Sequence, residues 1–106
     1  MNPHKIIFDS LDWTNAGIGL RYKAFVHGNQ RLRLVEYSEG FVEKEGCIRG
    51  HAAVVLNGSF AIEFQDNTES YSQGDIIFIP SGEVDRHKAL VGKGEKVTLL
   101  LFEMLE

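Results

Sequence analysis

Two short segments of this sequence hold five side chains whose types and spacing suit a metal ion. Glu45, Cys47 and His51 lie in the first, Asp85 and His87 in the second. Along an extended strand, residues two apart point to the same face. Glu45, Cys47, Arg49 and His51 therefore share one side of a strand, with Ala53 and Val55 following them. Asp85 and His87 share one side of a later strand. Strands of a small barrel turn alternate side chains inward, so two such sets can converge on one point. Thiolate, imidazole and carboxylate together suit zinc first, with iron, nickel or copper as alternatives, at bond lengths of roughly 2.0–2.3 Å. The preferred donors are Cys47, His51 and His87, with Asp85 or Glu45 completing or tuning the shell. An open position on such an ion activates water or polarises a substrate carbonyl.

Each residue also has a plain structural role. A single Cys in a β protein packs as a small buried hydrophobe. His51 can be an interior histidine satisfied by hydrogen bonds, although Gly50 before it and the apolar run after it favour a functional place. Asp85 can pair with Arg86 or Arg49 near a turn, and Glu45 sits in Glu43-Lys44-Glu45, which reads as a solvated loop. His4 and His27 read as surface residues. Arg49 would meet a carboxylate ligand or substrate if it pointed inward; outward, it would only be solvated.

The elements that must position these groups are strands. Leu20, Tyr22, Ala24 and Val26 alternate with Arg21 and Lys23, and Leu32 and Leu34 alternate with Arg31, Arg33 and Val35. Ala52 to Leu56 and Phe60 to Phe64 flank Asn57-Gly58, a hairpin signal because a tight turn there needs positive φ. Ile6 to Phe8, Ile76 to Ile79 and Val84 to Leu90 read as further strands. Lys96 to Met104 is a long final one, with Val97, Leu99, Leu101 and Phe102 available to the core. Trp13, Phe25, Phe41 and Phe78 read as core or interface residues. Short strands with regular turn signals, and no amphipathic helical stretch, predict an all-β sandwich or barrel.

A length of 106 residues predicts a single domain over 1–106 with one core. The charged fraction of 25% and apolar fraction of 43% are those of an ordinary globular chain. A net charge of −4 argues against nucleic-acid binding, which needs clustered cations. Arg21, Lys23, Arg31 and Arg33 read as a solvated sheet face. One cysteine forms no internal disulfide, which fits a reducing compartment. No long apolar run suggests a signal peptide or a membrane span, so the expected location is cytoplasmic.

The stretch Gly74-Asp75-Ile76-Ile77-Phe78-Ile79-Pro80-Ser81-Gly82 and the upstream block Glu45 to Gly58 together resemble the paired motifs of the cupin superfamily. In that pattern the first motif carries two histidines, a glutamate and a closing glycine, and the second a glycine, a Pro-x-Gly turn and a histidine. Aligned on Gly58, His51 falls at the glutamate position, and Cys47 and Glu45 at the histidine positions. Gly74, Pro80 and Gly82 match the second motif, and Asp85 falls at its histidine position. All four usual ligands are thus replaced, each by another donor. The sequence is also similar to a branch of small single-domain cupins with Cys-x-x-Gly-His, matched by Cys47 to His51, and with His-Lys-Ala, matched by His87-Lys88-Ala89.

The resemblance implies a cupin-type β-barrel, a double-stranded β-helix or jelly roll. It implies a divalent metal inside the barrel, a small-molecule ligand beside it, and a homodimer, since cupins commonly pair through sheet edges and barrel faces. It leaves the reaction open, because the fold serves enzymes, sensors and storage proteins alike. A non-catalytic ligand-binding module and a metal-free structural domain are the alternatives. Metal content separates the metal-binding reading from the metal-free one, and turnover of small molecules separates it from the non-catalytic module.

Overall fold

In a computed structural model, which describes residues 4–43 and 46–105, the chain is a curled antiparallel sheet of eight strands. They are β1 (Thr14–Asn15), β2 (Leu20–His27), β3 (Gln30–Ser38), β4 (His51–Glu63), β5 (Thr68–Ser72), β6 (Ile76–Ile79), β7 (Lys88–Leu90) and β8 (Lys96–Met104). The order β1-β2-β3-β8-β4-β5 runs through the sheet, and β6 and β7 both pair with β4. The first half of β4 lies between β8 and β6; its second half lies between β5 and β7. Two isolated bridges, Val42 to Leu90 and Cys47 to His87, lay the segment before β4 along the β7 side.

The long strand β4 replaces the hairpin expected at Asn57-Gly58. The chain does not turn back there; it continues through a bulge between Val55 and Asn57. Gly58 has the positive φ that the Asn-Gly pair signals, 82°, but uses it to pass the bulge. A side chain at 58 would also run into the Lys96 carbonyl oxygen, so the neighbouring strand needs glycine there. The extra residue changes which parity faces inward. Ala53 and Val55 are buried before the bulge, Phe60 and Ile62 after it. One strand thereby lines both walls of the interior.

The core is Val35, Ala53, Val55, Phe60, Ile62, Ile77, Ile79, Ala89, Val97, Leu99 and Leu101. In β8 the inner parity runs Val97, Leu99, Leu101 and then Glu103, so Phe102 faces outward and does not join the core. Phe78 also faces outward, at 77% exposure.

Two strand readings give way to 3-10 turns. Phe8–Ser10 is one, where Ile6 to Phe8 suggested a strand; Glu83–Asp85 is the other, which shortens the expected 84–90 strand to β7. Asp85 and His87 consequently do not share one face of a regular strand.

The basic face is not a solvated one. Lys23 is buried, donates from Nζ to the Phe8 carbonyl (2.9 Å) and lies over the Trp13 ring. Arg21 also lies over the Trp13 ring, at 4.0 Å, and pairs with Glu36. Arg31 and Arg33 share the inner parity of β3 with Val35 and turn into the barrel.

Candidate functional site

A cavity of about 320 Å³ opens inside the barrel. Its apolar part is Phe60, Ile62, Ile77, Ile79, Leu99 and Leu101; its polar part gathers Arg31, Arg33, Glu43, Cys47, Arg49, His51, His87 and Glu103. The sheet register explains the cluster. Ala52 pairs with Phe102, which puts His51, one residue earlier, opposite Glu103 on the inner parity. His51 is also paired with Ile79 of β6, whose end is set by the Pro80-Ser81-Gly82 turn. Gly50 fits against that turn: its N–H donates to Ser81 Oγ (2.7 Å), and a Cβ there would meet the Ile79 carbonyl.

His87 arrives from the other wall. Its backbone exchanges two hydrogen bonds with Cys47, of 2.8 and 3.1 Å, so the two side chains project on the same face. The imidazoles of His51 and His87 meet edge to face, with their Nε2 atoms 3.3 Å apart. His87 Nδ1 lies 2.9 Å from the Asp85 carbonyl oxygen. A carbonyl only accepts, so Nδ1 carries a proton, and in the neutral ring Nε2 of His87 is then a bare lone pair. His51 Nδ1 is buried without a hydrogen-bond partner and faces Glu103 Oε2 at 3.8 Å. Burial first, then the neighbouring His87, lowers the His51 pKa to about 4, with Arg33 and Arg49 acting in the same direction and Glu103 against it. His51 is therefore neutral at neutral pH.

Glu103 is 4% exposed and is gripped by two arginines. Arg33 donates through Nε and Nη2 (both 2.8 Å) and Arg31 through Nε (2.9 Å). Burial alone would raise its pKa; the hydrogen bonds from Arg33 and Arg31 outweigh that and hold it below the usual carboxylate range. Tyr37, also on the cavity wall, is pushed up to about 12 by burial and then by Glu43, so its hydroxyl keeps its proton.

Of the five donors expected from the sequence, Cys47, His51 and His87 line this cavity. Asp85 contributes its backbone carbonyl to His87 and its side chain does not line the cavity. Glu45 lies outside the described residues. Among the described residues no three His, Cys, Asp or Glu side chains stand close enough together to surround one ion. The two imidazoles do fit a cation. Nitrogens bound at 2.0–2.1 Å with a tetrahedral angle are roughly 3.3 Å apart, which is the separation observed. The reading by sequence omits Glu103 and assigns Arg31 and Arg33 to a solvated face, whereas all three line the cavity. The signal for them was parity: Glu103 continues the Val97, Leu99, Leu101 face, and a charge on a core face asks for a partner.

No protein-family model matches this sequence, and no curated protein matches it. Solved structures do. The polyketide cyclase RemF from Streptomyces resistomycificus superposes with a TM-score of 0.79 at 20% identity, over 96% of this chain and 79% of that one. KdgF from Halomonas sp. gives 0.75 at 22% identity, over 94% of each chain. An RmlC-like cupin from Shewanella frigidimarina gives 0.76 at 15% identity, over 97% and 91%. Likeness at such identities speaks for architecture alone, and the architecture is that of a cupin-type β-barrel.

Proposed function

We propose that the barrel interior is a small-molecule site organised by a divalent cation, zinc in the first instance, held between Nε2 of His51 and Nε2 of His87. The observation that carries this reading is the pair of facing ring nitrogens at 3.3 Å. Without a cation, the pair has one arrangement in which His51 Nε2–H donates to His87. That arrangement turns the bare Nδ1 of His51 toward the Glu103 carboxylate, lone pair against anion. With Nδ1–H toward Glu103 instead, both Nε2 lone pairs face the same point. Carboxylate and carbonyl partners behind ligating imidazoles are the usual support of a metal site. Cys47, bridged to His87 through the backbone in the same cavity, would have to move closer to the two imidazoles to join them as a donor.

A bound divalent ion would supply Lewis acidity toward a carbonyl or water. The chain's own groups do the rest. The apolar wall excludes water from the ligand's body, Tyr37 offers a hydroxyl donor, and Arg31 and Arg33 fix Glu103, which orients His51. A metal-free ligand-binding barrel is the competing reading, and the lack of a three-donor cluster among the described residues favours it.

Elemental analysis after reconstitution decides between them. The expected outcome is one zinc per chain, with His51→Ala and His87→Ala each losing most of it and Cys47→Ser weakening it. Retention of no stoichiometric metal by the wild-type chain overturns the cation reading.

We also propose that the chain pairs with a second copy through the outer face of β6, β4 and β8. Ile76, Phe78, Phe102 and Met104 are 70%, 77%, 49% and 59% exposed there. Phe78 and Phe102 flank Ala52, so they form one continuous row. Contiguous apolar surface of this kind marks an interaction face.

A further inference from the structure

The cavity's charges are unevenly used. Three guanidiniums line it, Arg31, Arg33 and Arg49, against two carboxylates, Glu43 and Glu103. Both carboxylates are engaged. Glu103 holds Arg31 and Arg33, and Glu43 Oε1 accepts the Ala89 N–H at 2.8 Å. Arg49 has no ion-pair partner among the described residues. It is exposed and yet lines the cavity, so it stands where the interior meets solvent. It lies two residues from His51 in the chain, and its charge acts on that ring. The lining thus carries one positive charge in excess, inside a chain whose net charge is −4. A positive concavity in an otherwise acidic molecule draws anions to that one place.

We infer that the ligand of this cavity is a small organic acid with an apolar body, its carboxylate on Arg49 and its body against Phe60, Ile62, Ile77 and Leu99. The inference rests on reading this cavity as a ligand site, but it does not depend on the metal. A planar guanidinium with free donors matches a carboxylate bidentately. The apolar floor asks for a hydrophobic body rather than a fully hydroxylated one. A volume of about 320 Å³ sits at the small end of ligand pockets and admits one compact molecule.

The test compares acids with their uncharged isosteres by titration calorimetry on the full chain. The probes are phenylacetate and cinnamate, phenylacetamide and cinnamamide, and inorganic phosphate as an anion without an apolar body. The acids are expected to bind about tenfold or more tightly than the amides, since the charged hydrogen bonds to Arg49 are lost with the charge. Phosphate is expected to bind more weakly than either acid. Arg49→Gln, at an exposed position, is expected to erase the preference of acid over amide while leaving zinc content unchanged. Equal binding of acid and amide, binding of neither acid, or an undiminished preference in Arg49→Gln overturns the inference. Zinc content read on the same samples keeps the two readings separate: acids preferred by a zinc-free chain sink the cation alone, and zinc bound without acid preference sinks the anion alone.

Discussion

At the scale of single residues, His51 is a group whose charge the barrel suppresses. It is neutral because its surroundings are dry and because His87, Arg33 and Arg49 oppose a second positive charge. An imidazole whose folded pKa is about 4, against roughly 6.5 when unfolded, binds its proton less readily in the native state. Its contribution to stability is therefore complete above pH ~6.5 and is lost as pH falls toward 4. For chelator-treated protein we expect unfolding free energy to drop over that window by about 3 kcal/mol from this group, at about 1.36 kcal/mol per pKa unit. Denaturant melts at stepped pH read it directly, and His51→Gln should flatten the slope. An unchanged slope in that variant would place the acid sensitivity elsewhere.

At the scale of elements, the bulge in β4 does the decisive work. It lets one strand carry His51 and Ala53 on one wall and Phe60 and Ile62 on the other. Gly58 makes the bulge possible on two counts, its φ of 82° and its contact with the Lys96 carbonyl. Gly58→Val should cost about 2–4 kcal/mol, from a β-branched residue forced into the left-handed region plus displacement of β8. Thermal melts measure the loss. Gly74→Ala is a control: it also has positive φ, 93°, but nothing within reach of an added Cβ. It should cost less, and equal losses would refute the role given to the Lys96 contact.

At the scale of the whole molecule, the outer face is covered at β2 by Phe8 and Trp13 and left open at β6, β4 and β8. The inner face closes on the core and the cavity, while β6, β4 and β8 present aromatic and aliphatic side chains outward. A stable dimer buries about 800 Å² per partner, and an apolar row of this kind is a natural centre for such a patch. Light scattering on the eluting peak is expected to give twice the chain mass for wild type. Phe78→Glu with Phe102→Glu should give the single-chain mass, and both substitutions are at exposed positions that leave the core intact. A wild-type monomer at micromolar concentration would remove the dimer. Among the described residues no helix is long and apolar enough to cross a membrane.

Much of this was open to reading in the sequence. Strand periodicity, the Gly74 and Pro80-Ser81-Gly82 punctuation, and the donor types at Cys47, His51 and His87 are local properties of the chain, so they announce an all-β fold and single out three residues that line its cavity. What needed tertiary structure was every question of which side faces in. Asn57-Gly58 signals positive φ equally for a turn and for a bulge, and only the neighbouring β8 strand selects the bulge. The alternation of Arg31 and Arg33 with Leu32 and Leu34 looks the same from either face. Glu103, more than sixty residues later, settles it by supplying a buried carboxylate for the arginines. Backbone conformation is dictated by near neighbours, whereas burial and pairing depend on residues that meet only once the sheet has curled.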